Sequence, residues 1–230
     1  MYKRQTLGTT TLVESNLPPN PTSITAKSTF LLAKCVSAIA VVVSKKVDFK
    51  NYQTPFAEIY GSVAAPTASL HFSDDYITSL KRRNIHYCFI TLHVSGGNFF
   101  QILEKKIDKH KMHSEFASVD ENAALQIRET LKRGGKLIAV GTTVMRVLES
   151  SYFVDNSFQA FKGSINTFIK PGHNFKVCSG LFTNFHLPKS TLFILVNAFI
   201  GTKQATELYQ LAISKRYRLF SYGDCCLLFI

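Results

Sequence analysis

The chain has 230 residues, 46% of them hydrophobic and 18% charged, enough apolar surface to offset chain entropy, so global disorder is excluded. Twenty-seven basic and fifteen acidic residues leave a net charge of +12, spread along the chain rather than confined to a tail; this suits a polyanionic partner such as nucleic acid, or simply a basic soluble protein. Five cysteines (Cys35, Cys88, Cys178, Cys225, Cys226) form no CxxC pair, which argues against a disulfide scaffold or thiolate zinc site and suits a reducing compartment.

Thr6 to Thr29 is rich in Ser, Thr and Pro, with Leu17-Pro18-Pro19-Asn20-Pro21 at its centre. Proline removes backbone donors, so residues 1–50 read as a divergent leader, loop or disordered. Its acid-poor composition resembles a transit peptide, and a leader of no function is the other reading. The apolar stretch Phe30 to Val43, interrupted by Lys34, is shorter than the ~20 residues that cross a bilayer, and Leu192 to Ile200 is shorter still. No membrane span is expected. Ala38 to Val43 is a candidate strand.

From residue 51 the chain alternates strand and helix patterns. Ser73 is placed to cap a helix over Asp74 to Lys81, with acids first and bases last. Ile85 to Val94 is aromatic and β-branched, a buried strand. Ser118 and Glu121 have capping-box spacing ahead of Ala124, Ile127 and Leu131, and Gly134-Gly135 ends that helix. Lys136 to Gly141 predicts a short strand, and Val144 to Ser150 a helix. Ser190 is expected to cap Thr191 to Ile200, a further helix covers Gln204 to Arg216, and Cys225 to Ile230 predicts a last buried strand. The succession implies one α/β domain over 51–230, its sheet mainly parallel, barrel-like or open, flanked by helices.

Six segments set polar groups beside glycine, proline or a strand end, where backbone approaches a ligand closely. Gly61 to Phe72 offers Thr67 and His71, or is a tight loop with a hydrogen-bonded histidine. His93 lies near a strand end before Ser95-Gly96-Gly97, where α/β sheets bind ligands. In Asp108 to Glu115, His110 and His113 lack the HExxH order and a nearby cysteine, which weakens a zinc reading. Strand alternation would put Lys111, His113 and Glu115 on one face, for phosphate binding and proton transfer or as a polar edge. Gly141-Thr142-Thr143 opening a helix presents free N–H groups to an anion, and Arg146 with Glu149 shares a helix face, as site residues or a surface ion pair. Asn184 and His186 point to the same side of an extended segment, ahead of Lys189 and Ser190 at a helix start. Asp224 follows a glycine before the last strand.

These segments, in this order, resemble the S-adenosylmethionine:tRNA ribosyltransferase-isomerase family of queuosine biosynthesis. The matching stretches are Tyr52–Phe72, Ile90–Gln101, His110–Phe116, Ile138–Ser150, Phe182–Leu192 and Arg216–Asp224. The resemblance implies transfer and isomerisation of the ribosyl moiety of S-adenosylmethionine onto 7-aminomethyl-7-deazaguanine at the wobble position of tRNA. Epoxyqueuosine-tRNA forms, and adenine and methionine leave. S-adenosylmethionine and that tRNA are thus the expected partners, with no bound cofactor, no metal, no membrane, a monomer and a cytoplasmic location. The sulfonium acidifies the adjacent ribosyl carbon, so a base must take that proton and an acid help adenine leave. Under the resemblance His71, His93, His113, Glu115, His186 and Asp224 are candidate catalytic residues. Thr67, Lys111, Thr142, Thr143, Arg146, Glu149, Asn184, Lys189 and Ser190 are candidate substrate-binding residues. Ser69 and Ser95 stand where the family pattern has glycine, and Asn98 where it has threonine. Residues 1–50 do not resemble the family's opening, and its separate β-barrel domain is expected to be absent. A layer missing strands would expose an apolar edge, so the chain alone is expected to be marginally stable or inactive. The competing readings are a remnant that binds RNA without catalysis, and a histidine metalloenzyme.

Overall fold

The computed structural model describes residues 29–34, 51–59, 61–62, 64–94, 107, 110–150, 153–154 and 157–230, the pairs 29–34 and 153–154 through their backbone alone. In chain order its elements are β1 (Thr29–Lys34), a 3-10 turn (Thr67–His71), α1 (Asp74–Arg82), β2 (His86–His93), β3 (Glu115–Val119), α2 (Glu121–Lys132), β4 (Leu137–Val140), α3 (Thr142–Ser150), β5 (Phe153–Val154), β6 (Ser157–Phe158), β7 (Phe161–Ile165), β8 (Gly180–Asn184), α4 (Thr191–Ile200), α5 (Thr202–Ser214) and β9 (Cys225–Phe229).

Seven strands form an open sheet in the order β7-β3-β2-β1-β4-β8-β9. The middle four are parallel: β1 runs beside β2, with Thr29 opposite His86, and beside β4, with Thr29 opposite Leu137; β4 runs beside β8, with Ile138 opposite Gly180. The β2–β3, β3–β7 and β8–β9 pairings are antiparallel. The expected parallel sheet is therefore the centre of a mixed one. Parallel strands are buried on both faces, and all four residues of β4 are fully buried. On one face Ile138, Val140, Phe182 and Leu227 pack with Phe72, Ile77 and Leu80; on the other Leu137, Ala139, Leu181 and Leu228 pack with Ile127, Val144 and Val196.

β1 falls inside the stretch read as a leader, so the expectation of loop over residues 1–50 fails at residues 29–34. Its TFLLAK sequence is apolar enough for the middle of a sheet, and its partners lie at least fifty residues away, which a local reading cannot supply. The candidate strand Ala38 to Val43 lies outside the described residues.

Helix ends follow side-chain capping. Ser73 accepts from the Tyr76 N–H at 3.2 Å, and Ser190 from the Phe193 N–H at 3.1 Å, as expected. The cap of α2 is Asp120, accepting from the Ala123 N–H at 2.8 Å, rather than Ser118, which belongs to β3. A carboxylate one residue before a helix satisfies the same orphan donor and complements the dipole. α3 and α5 each begin two residues earlier than expected. Among the described residues no helix is long and apolar enough to cross a membrane.

Candidate functional site

The parallel strands β2, β1, β4 and β8 end at one edge of the sheet, with β2 on one side of β1 and β4 on the other. Chain order reverses there, and open α/β sheets bind ligands in that crevice. A cavity of about 80 Å³ occupies this position, room for part of a nucleoside. Its floor comes from the strand ends (Leu92 in β2 and Val94 just after it, Val140 and Gly141 at β4, Thr183 and Asn184 at β8), and its walls from Pro66, Thr67, Thr142, Thr143, His186, Ser190, Phe220 and Ser221. Gly141, at φ 104°, turns β4 into α3 while its N–H donates to the Phe182 carbonyl at 2.8 Å. The first-turn N–H groups of α3, Thr142 and Thr143 among them, have no intrahelical acceptor. No Asp, Glu, Lys or Arg side chain lines the cavity among the described residues.

Successive residues of a strand point to opposite faces, and the last two of β8 meet different histidines. Thr183 Oγ1 lies 2.8 Å from His186 Nε2, and the His186 N–H donates to the Tyr209 hydroxyl at 2.9 Å. Burial disfavours the charged imidazole and pushes the His186 pKa down to about 4. Asn184 lies beside His71, whose ring meets Phe182 edge-on at 5.9 Å. Burial lowers the His71 pKa against the opposing pull of Asn184 and Asp224. Both imidazoles are therefore neutral near pH 7.

The Asn184 amide is oriented by two bonds: Nδ2 donates to the carbonyls of Phe220 (3.0 Å) and Ser221 (3.2 Å). Its Oδ1 is buried with no partner at hydrogen-bonding geometry; with the N–H groups engaged, this oxygen is the atom that acts on His71, and it keeps a second lone pair for a ligand N–H or O–H. Asp224 Oδ2 accepts from the Arg218 N–H at 2.7 Å, and Oδ1 from Arg218 Nη2 at 2.9 Å. Burial raises the Asp224 pKa, but the Arg218 hydrogen bonds and charge, with His71, outweigh it and leave it lowered. Ser190 lines the cavity while capping α4 and donating to the Leu187 carbonyl at 2.7 Å.

Of the expected site residues, Thr67, Thr142, Thr143, Asn184, His186 and Ser190 line the cavity, His71 is linked to it through Asn184, and Asp224 acts on His71. Others lie elsewhere. His93 points away from the floor made by its neighbours Leu92 and Val94. Its ring is 5.6 Å from Phe116 and against Gly61, where a Cβ would fall 2.9 Å from Nδ1. Lys111 and His113 are exposed and precede β3, so the alternation expected to group them with Glu115 does not extend that far. Lys189 is exposed in the turn before α4. Glu115 and Arg146 are 0% and 2% exposed and paired with each other, Nη1 to Oε2 at 2.6 Å, with Arg146 Nε donating to the Thr167 carbonyl at 3.0 Å. Neither faces solvent, so Arg146 does not present itself to a phosphate.

Glu149, expected beside Arg146, instead accepts three backbone N–H groups, from Lys176 (3.0 Å), Val177 (3.0 Å) and Cys178 (2.9 Å), and so fixes the approach to β8. Glu149→Ala is expected to cost about 2 kcal/mol of unfolding free energy, since buried donors lose their acceptor; urea denaturation checks it, and an unchanged midpoint would count against the latch.

The sixth segment, Phe220 to Asp224, was expected to matter through Asp224 alone; Phe220 and Ser221 in the wall, and Tyr52 behind it, were not among the expected site residues. Tyr52 bonds Ser221 and meets Tyr222 edge-on at 5.6 Å. Gly223 was the signal for that turn: a Cβ there would lie 2.6 Å from the Arg218 carbonyl oxygen. Among the described residues no three His, Cys, Asp or Glu side chains converge to hold a metal.

The depressed His186 pKa has a stability consequence. Above about pH 6.5 the imidazole is neutral folded or unfolded, and its full contribution is present. As pH falls toward 4 the unfolded chain binds a proton that the folded one refuses, so stability is lost across that window. A drop from 6.5 to about 4 corresponds to roughly 3 kcal/mol. His186→Gln is expected to flatten this part of the stability–pH curve, measured by urea denaturation between pH 7 and 4; an equal slope in both proteins would contradict it.

Fold and cavity together define an α/β protein with an uncharged cavity at the carboxyl edge of its parallel strands. Comparison with known proteins narrows this: the chain belongs to the family described as queuosine biosynthesis protein, whose family model matches residues 16–228. That match starts well before residue 51, as the position of β1 also does. The chain is 47% identical over 187 residues to the S-adenosylmethionine:tRNA ribosyltransferase-isomerase of Halothermothrix orenii, covering 81% of this chain and 55% of that protein. It is 46% identical over 184 residues to the protein of the same name from Legionella pneumophila (strain Corby), covering 80% and 54%. The crystal structure of an S-adenosylmethionine tRNA ribosyltransferase from Thermotoga maritima superposes with a TM-score of 0.58 at 37% identity, covering 70% of this chain and 51% of that one. The chain thus spans about half the length of the curated relatives it matches.

Proposed function

We propose that the cavity at the strand ends is where the ribosyl moiety of S-adenosylmethionine is transferred to 7-aminomethyl-7-deazaguanine in tRNA and isomerised, giving epoxyqueuosine-tRNA, adenine and methionine. The observation that carries this is the pair of neutral imidazoles, His186 on Thr183 and His71 beside Asn184, at the end of one strand. A neutral imidazole can take the proton from the ribosyl carbon next to the sulfonium and return it to the departing adenine. His186 lines the cavity and is assigned that role; His71, steadied by Asn184 and Asp224, is the second proton carrier. Asn184 Oδ1 accepts a hydrogen bond from the nucleoside. The uncharged lining leaves the substrate amine neutral, as it must be to attack.

Incubation of the chain with S-adenosylmethionine is expected to release adenine and methionine in equal amounts only when the acceptor tRNA is present, read by chromatography. Binding of tRNA with no release would favour the non-catalytic reading.

A further inference from the structure

Four non-glycine residues among those described hold a positive φ: Asn84 (54°), Lys189 (61°), Arg216 (58°) and Phe220 (76°). Asn84 is of a type that tolerates this region; lysine, arginine and above all phenylalanine are not. Those three lie on the two segments that wall the cavity. Lys189 sits between Leu187 and Ser190, which line it, and Arg216 opens the stretch that brings Phe220 and Ser221 to it. Arg216 takes its φ as the residue that ends α5, its N–H donating to the Ile213 carbonyl (3.0 Å) and the Tyr217 N–H to the Ala212 carbonyl (2.9 Å); Lys189 and Phe220 end no helix, and glycine or asparagine would hold their backbone with less strain. Strain of this kind persists where surroundings impose it, and it clusters at functional sites.

The surroundings do impose it, and without the Phe220 ring. The Phe220 N–H donates to the Phe185 carbonyl and its carbonyl accepts from the Gly223 N–H, both at 2.9 Å, while Asn184 Nδ2 holds the Phe220 and Ser221 carbonyls. The ring is 45% exposed and belongs to neither hydrophobic cluster of the sheet. Lys189 and Arg216 are exposed. An aromatic side chain in the wall of an uncharged cavity, with exposed cations on the same two segments at Lys189 and Arg216, matches the unstacked base and the phosphates of a single strand. The net charge of +12 favours the same partner.

The geometry points to Lys189, Arg216 and Phe220 as the wall that receives a single-stranded RNA loop, Phe220 stacking on a base and the two cations holding phosphates. This rests on the reading of tRNA as the substrate and names the surface that meets it.

The test pairs thermal melting with fluorescence anisotropy on a labelled RNA hairpin copying an anticodon stem-loop, against duplex RNA, over a salt series. Phe220→Gly, Lys189→Asn and Arg216→Asn are each expected to melt no lower than the parent. Phe220→Gly weakens hairpin binding roughly tenfold at unchanged salt slope, Phe220→Trp retains it, and each asparagine variant lowers the salt slope by about one. Hairpin affinity unchanged in all three variants, or a parent protein that binds duplex as well as hairpin, would overturn the inference. Hairpin binding sensitive to Phe220 without ribosyl transfer would leave it standing and refute the enzymatic reading; transfer with affinity blind to Phe220 would do the reverse.

Discussion

Arg146→Ala is expected to lower the unfolding free energy by roughly 3–5 kcal/mol. The guanidinium is 2% exposed, its Nη1 is 2.6 Å from a Glu115 oxygen that no water reaches, and its Nε binds the Thr167 carbonyl. Burial alone would weaken the charge on Arg146; the Glu115 carboxylate opposes that. Alanine would take from the buried Glu115 carboxylate the guanidinium that pairs with it between α3 and β3. The cost comes from breaking the pair, since an intact buried pair gains little over apolar groups. The double variant Glu115→Leu with Arg146→Met is therefore expected to recover most of the loss. Urea denaturation at neutral pH measures both, and a single-variant loss below about 1 kcal/mol would show that the pair does not hold β3 to α3.

His186→Ala is expected to lower the rate of ribosyl transfer by roughly 10²–10⁴-fold, in kcat rather than in tRNA affinity. The imidazole lines the cavity, is oriented by Thr183 Oγ1, and is neutral at working pH, while the Tyr209 hydroxyl holds the His186 backbone N–H. Thr183→Val keeps the shape but removes the orienting hydroxyl, so it is expected to give a smaller loss in the same direction. A full rate in His186→Ala would move proton transfer to His71.

Much of this was legible in the sequence because it is local. Ser73 and Ser190 cap their helices from one turn away, Gly134 ends α2, and the buried strands β2, β4 and β9 announce themselves as apolar runs. The glycine-threonine turn after β4 and the Asn184–His186 pair fell at the cavity because strand ends in such sheets do. What stayed hidden was set by distant partners. β1 is a strand because β2 and β4 flank it. Glu115 and Arg146, each plausible in a site, pair across 31 positions. His93 was expected at the site from its strand-end position, but alternation along β2 turns it away from the cavity. Phe220 fell in a segment that stood out, but its left-handed φ is invisible in residue identity.

The most direct measurement follows the sugar itself. The chain and its His186→Ala variant are incubated with tRNA and S-adenosylmethionine labelled in the ribosyl group, and the recovered RNA is digested and analysed. The expected result is label in the modified base with the parent protein and almost none with the variant, at equal RNA binding. Unlabelled RNA from the parent, or equal labelling by both, would contradict the assignment of this cavity as the place of transfer.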